Sequence, residues 1–361
     1  MDANERRWSD SQPHWDRFLD DVRAARAVVG ATYAGAWFRG QTDAWGLSPS
    51  LFRSLRNIKK EIARLEQSLQ VNREKLAKAR RFLARQLKQE EDEVSLRLAQ
   101  CVAVAERRVA KAMERLPGSG GHMPGEGRAF VEFRFRAGCH HQSSWQTLAE
   151  MQHYGVPTRL LDWSESFIHA LAFALEDYIK ALDAQWTMDR HSEVPPQVLQ
   201  WHHVEPEKKD DGTCKNPTLW ILNPYKLAEE SKGRNVLWDP TLDGLDDYFS
   251  VFIGNSHVST GPEDNHRFNV PIPILSPWRD ERVAAQQGVF TCHGRDVRPL
   301  NEQVNSRVVR PVRISHEAAI HGVRFLREIG GLDRFTMFRD KDSLGEKTKK
   351  EFLDAASWIP D

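Results

Sequence analysis

The sequence predicts an α+β fold: a single domain on one mixed or antiparallel sheet, interrupted by an antiparallel coiled-coil hairpin. Short apolar runs with strand character lie scattered at 36–39, 218–222, 250–254, 289–294 and 308–314, and helices do not alternate strictly between them, which argues against a doubly wound parallel sheet. From 55 to 116 there is neither glycine nor proline, and apolar residues recur in alternating steps of four and three, the spacing of paired helices.

The first element is a helix over 11–29, where Trp15, Phe18, Leu19 and Val22 share one face and Ser11 is placed to cap it. A strand at 36–39 then turns through Gly40-Gln41 into a short extended piece around 47–51. In the hairpin, Ile58, Ile62, Leu65, Leu69, Leu76, Ala79 and Leu83 form one seam, broken only by Asn72, and Val94, Leu98, Val102, Ala105, Val109 and Leu116 form the return. The charged run QEEDE at 89–93 marks the tip. At ~1.5 Å per residue each arm reaches about 35–45 Å. The hairpin carries 16 basic and 9 acidic side chains, a net +7, with Phe82 its only aromatic. It reads either as an arm for nucleic acid or a partner protein, or as a solvated coiled coil.

The glycine- and proline-rich stretch 117–127 predicts a mobile return from the hairpin. A helix over 147–153, a tight turn over 154–158 and a longer apolar helix over 166–182 follow, with Ser164 or Ser166 as its cap. Between turn and helix, Thr158-Arg159-Leu160-Leu161-Asp162-Trp163 puts polar and apolar side chains on alternate faces. Residues 187–217 are polar and irregular, an excursion before the strand at 218–222. A helix over 316–330, closed by Gly330-Gly331, and a last helix near 343–356 end the chain.

Composition excludes several classes. With 51 basic and 51 acidic residues, whole-chain charge gives no case for nucleic acid or an anionic membrane. No run approaches the ~18 apolar residues that a membrane span needs, and Cys101, Cys139, Cys214 and Cys292 stand far apart, so the expectation is a cytoplasmic protein with reduced thiols. His202, His203 and Cys214 have no second ligand pair at useful spacing, and no metal is expected.

Arg39 stands at the end of an apolar run, in 37-WFRGQTDAWGLSPSLFR-53, and is either a buried tie, paired with Asp162, or a grip for an anion. With 151-MQHYGVPTRLLDWSES-166, 219-LWILNP-224, 286-QQGVFTCHG-294 and 335-FTMFRDKDSLGEKTK-349, this stretch resembles in order and wording the FRG domain, a bacterial and phage family named for the Phe-Arg-Gly of its first motif. The resemblance spans about 12–352. It implies that the hairpin is an insertion, dividing the domain into 1–54 and 117–361 around 55–116.

The family pattern in turn distantly resembles ADP-ribosyltransferases, and that resemblance implies the site roles. NAD would be a substrate, acted on by a transferase or an NAD glycohydrolase. Arg39 would grip a phosphate, Tyr154 or Trp163 would stack on a base, and Gln287, or Gln286 in the other register, would stand where the transferase carboxylate stands. Asp162 would join the catalytic set, and Gln41, His153, Thr158 and Arg159 would line the ligand site. An amide can bond a ribose hydroxyl but adds no negative charge beside a developing oxocarbenium ion. Three function classes follow: an NAD-using effector, a toxin or antiphage protein; a non-catalytic nucleotide- or nucleic-acid-binding module; and an interaction protein that self-associates through 56–116. A carboxylate beside Gln287 would favour the first.

Overall fold

The computed structural model describes residues 3–31, 35–86, 93–114, 116, 123, 125–181, 215–240, 252–253, 269–277, 283–284, 286–332, 335–336 and 341–356. It is an α+β protein whose described residues form one open sheet of six strands, in the order β4-β5-β2-β1-β3-β6 and antiparallel throughout. The strands are β1 (Trp37–Gln41), β2 (Leu160–Ser164), β3 (Thr218–Leu222), β4 (Ile272–Ile274), β5 (Gly288–Cys292) and β6 (Val309–Arg313). Alternation along the central strands divides the core. Phe38, Leu219, Ile221 and Val312 face one way, onto α1 (Ala3–Val29), α6 (Phe167–Ala174) and α8 (His316–Glu328). Trp37, Leu161, Trp163, Trp220 and Val289 face the other way, onto Leu47 and Leu300.

Helix α1 buries Trp15, Phe18, Val22, Ala25 and Val29 along the stripe the sequence shows. Glycine 40 is required by packing: a Cβ there would lie 1.8 Å from the Ala170 carbonyl oxygen and 2.4 Å from the Ala174 nitrogen, both backbone of α6. Helix α6 is shorter than the expected 166–182. It is capped by Ser166, which accepts from the His169 nitrogen, and a turn at Leu175 separates it from helical residues 176–181.

The hairpin consists of α2 (Ser50–Gln86) and α3 (Glu93–Met113). Phe52, Leu55, Ile58 and Ile62 pack with Ala112 and Met123, which sets the arms antiparallel, and Arg73 pairs with Glu106 at 2.7 Å. Helix α2 begins at Ser50 and runs unbroken through the expected boundary at 54/55, so the hairpin's base belongs to the body of the domain.

Three further helices are α4 (Glu126–Arg136), α5 (Ser144–His153) and α7 (Pro224–Lys232), and α9 (Lys341–Ala356) closes the chain. Helix α5 opens with a capping box between Ser143 and Gln146, and α7 with Asn223 and a proline at its first position. Of the expected strand at 250–254, the described residues are not extended: Phe252 is helical and Ile253 is a turn. Both are buried with Phe130, Trp145 and Ile272, and this packing decides their backbone over their strand propensity. Met123 and Glu126 are buried, so the end of the 117–127 stretch is a packed helix start. Most of the excursion at 187–217, with His202, His203 and Cys214, lies outside the described residues. Among the described residues no helix is long and apolar enough to cross a membrane.

Candidate functional site

Strands β1 and β2 meet only where Phe38 faces Ser164, whereas β1 pairs with β3 along its whole length. Past that point Arg39 fills the space that a backbone ladder would occupy. Its Nη1 donates to the Asp162 carbonyl oxygen at 2.6 Å, and the Asp162 Oδ2 stands 3.7 Å away. The Arg39 side chain is 16% exposed and that of Asp162 53%. Burial lowers the Arg39 pKa below the usual range; the Asp162 carboxylate acts against this and the nearby Arg53 guanidinium acts with it. The Arg39 Nε is buried and has no hydrogen-bond partner among the described residues. Arg39 thus ties to Asp162, while its Nε has no partner among the described residues and Arg53 stands nearby.

Asp162 is held by a chain of polar groups from α5. Gln152 Nε2 donates to Asp162 Oδ2 at 3.0 Å, and Thr158 Oγ1 donates to Gln152 Oε1 at 2.6 Å. The Thr158 nitrogen in turn donates to Ser50 Oγ at 3.2 Å, and Leu51 N donates to the Thr158 carbonyl at 3.2 Å. The first turn of the hairpin is thus hydrogen-bonded, residue by residue, to the carboxylate beside Arg39.

Arg159 lies beneath this chain and is fully buried. Its Nε and Nη2 each meet one Glu126 oxygen at 2.6 Å, its Nη1 donates to the Gly294 carbonyl at 2.7 Å, and its Cζ lies 4.1 Å from the Phe252 ring centroid and 5.4 Å from that of Phe52. A guanidinium so enclosed holds α4, β2, the hairpin base and the end of β5 together. It offers nothing to a ligand. His293 stands against the same group, and burial, with Arg159 as the next cause, pushes its pKa down to about 3. Trp163 Nε1 donates to Thr291 Oγ1 at 3.1 Å, which frees the Thr291 hydroxyl to donate to His293 Nε2 at 3.3 Å. This suits a neutral imidazole.

The remaining expected site residues separate into buried and exposed groups. Trp163 is 3% exposed and packed in the core, so its ring presents no face for stacking, and Thr158 is 1% exposed. Gln41 is buried and accepts from Trp220 Nε1 at 2.8 Å. Tyr154 is 67% exposed at the end of α5, edge-on to His153 at 5.0 Å and near Phe133 at 6.3 Å. Gln287 is exposed, at a φ of 48°, with its carbonyl accepting from Glu165 N at 3.0 Å, and Ser164 Oγ donates to the Gln286 carbonyl at 2.6 Å. Asp162 faces Phe290 in the ladder, three residues from Gln287, or about 10 Å along the sheet at ~3.3 Å per residue.

The structure therefore brings Arg39 and Asp162 together, seals Arg159 beneath them and sets Gln286 and Gln287 just before β5, about 10 Å along the sheet from Asp162. It adds Glu126, Gln152, Thr291, His293 and Glu165, none of which the sequence marks as part of a site. For Glu126 a signal was present: an acidic residue opening the amphipathic run FVEFRFR is a helix start, but the surrounding glycines read as loop.

Neither the curated proteins nor the solved structures contain a match to this chain. A family model described as the FRG domain matches residues 105–182. The matched span starts within α3 and runs through α4, α5, β2 and α6, so it takes in Glu126, Gln152, Arg159 and Asp162, while Arg39 and Gln287 lie outside it. Over residues 105–182 the chain carries an FRG domain, and these residues supply the carboxylate against which Arg39 is held.

Proposed function

We propose that this FRG-domain protein binds a phosphate-bearing nucleotide of the NAD type at Arg39 and acts on it as an ADP-ribosyltransferase-like effector, a toxin or antiphage protein. The observation that carries the reading is the state of Arg39. A partly buried guanidinium beside Arg53, with an Nε that has no partner among the described residues and a half-exposed carboxylate at 3.7 Å, leaves a local excess of positive charge among these groups. An anion with two oxygens in the plane of the guanidinium would relieve both the repulsion and the unmet donor.

Glu165 supports the catalytic part. It is exposed, and its backbone nitrogen donates to the Gln287 carbonyl across the continuation of the β2–β5 ladder, so the residue opposite the amide carries a carboxylate. A ligand with its phosphates at Arg39 and its ribose toward Glu165 and Gln287 would span on the order of 10 Å across the sheet. In this reading Glu165 stabilises the oxocarbenium-like state and Gln287 bonds a ribose hydroxyl.

The hairpin in this reading is an insertion that joins the domain at its base. The second reading is a binding module without chemistry, favoured by the enclosure of Arg159 and Trp163, which removes two of the expected ligand contacts. Incubation of the purified protein with labelled NAD and a cell lysate separates the two. The catalytic reading expects free nicotinamide, with or without a labelled macromolecule, and loss of both in Glu165→Gln. Binding of NAD without release of nicotinamide selects the module.

A further inference from the structure

The hairpin leaves much of its apolar stripe uncovered. Two helices shield each other along one line, and Val71, Leu96, Val104 and Met113 remain 44–53% exposed. Between the arms runs an open groove of about 550 Å³ lined by Leu65, Val104 and Ala105 together with Ser68, Asn72 and Gln100. The charged side chains in its walls are Arg97 and Arg108, both basic.

We propose that this groove receives an amphipathic helix of acidic character from a partner protein, completing a three-helix coiled coil. An apolar floor asks for an apolar stripe from the occupant, and helices packed in this way bury it at the positions that Leu65 and Val104 leave open. The two arginines and the hairpin's net +7 select acidic residues on either side of that stripe. A second copy of the chain fits less well, because it would bring another +7 against the first. Nucleic acid would use the charge but not the apolar floor, and the hairpin has one aromatic residue for stacking, Phe82. The inference stands independently of the ligand at Arg39.

The test is fluorescence anisotropy with a designed helical peptide about three heptads long, leucine at the seam and glutamate on both flanks. The full-length protein should bind it saturably, more weakly as salt rises. Val104→Asp changes an exposed position, so the melting midpoint should hold while affinity falls about tenfold or more. Arg97→Glu with Arg108→Glu should lose the acidic peptide and gain its lysine counterpart. Failure of the acidic peptide to bind overturns the proposal, as does parent-like binding by Val104→Asp or a charge-reversed variant that still prefers the acidic peptide. Sedimentation as a dimer through the hairpin, or tighter binding of a single-stranded oligonucleotide than of the peptide, also overturns it.

Discussion

Arg159 and Glu126 form a two-point ion pair, Nε to Oε1 and Nη2 to Oε2 at 2.6 Å each, with side chains 0% and 6% exposed. Thirty-three residues apart in sequence, they join α4 to the entrance of β2 in a site that excludes water.

Removing one partner strands the other. Glu126→Ala is expected to destabilise by about 3–5 kcal/mol, because the buried guanidinium loses the carboxylate that meets it at two points. Glu126→Leu combined with Arg159→Met should cost much less than the sum of the two single changes. Urea denaturation of the two single variants and the double variant measures the coupling.

Gly40→Ala is expected to cost about 3 kcal/mol or more, since the added carbon meets the backbone of α6, which cannot yield as a side chain would. Gly155→Ala, at a φ of 74° with open space around it, should cost only about 1 kcal/mol. The difference in melting midpoint between the two variants separates close packing from backbone conformation.

Two buried histidines set an acid limit. Burial lowers the pKa of His293 to about 3 and of His321 to about 4. In the unfolded chain both take up protons near pH 6.5, whereas in the fold they stay neutral until much lower pH, so the unfolded state binds more protons in between. Stability should therefore be full above about pH 6.5 and fall as the pH drops from there to about 4, with a slope of at most ~2.7 kcal/mol per pH unit for two protons. His321→Gln should flatten this slope by about half in denaturation curves taken across the window.

Trimming the hairpin tests where the domain ends. Replacing 66–106 by a short turn leaves the base cluster of Phe52, Leu55, Ile58, Ile62, Ala112 and Met123, and cooperative thermal unfolding should persist. Deleting 56–116 removes Ile58, Ile62 and Ala112, half of that cluster, and uncovers Phe52 against Arg159 and His293. Its melting transition should fall well below that of the trimmed form.

Much of the scaffold was legible because local pattern and tertiary packing agree. The run at 218–222 is β3, residue for residue, and the face of Trp15, Phe18 and Val22 is the buried face of α1. Reading failed where packing overrides propensity, as at Phe252, or where a decisive contact is remote. Nothing near Arg159 in sequence announces Glu126, and nothing near Asp162 announces that Gln152 reaches it from the preceding helix. The short β4, with Pro273 at its centre, lacks the length that an alternating pattern needs. The meeting of Arg39 and Asp162 was legible as a pairing of charges. That the contact runs chiefly to the Asp162 carbonyl, through a fork between two strands, was not.

The central claim is that Arg39 holds an anionic ligand, and calorimetric titration of the purified protein with NAD, and separately with inorganic pyrophosphate, tests it most directly. Saturable binding by the parent and a loss of about tenfold or more in Arg39→Lys, at an unchanged melting midpoint, is the expected result, because a compact ammonium cannot make the planar two-point contact. Parent-like binding by Arg39→Lys, or no binding of either compound by the parent, would contradict it and leave Arg39 as a tie between β1 and β2.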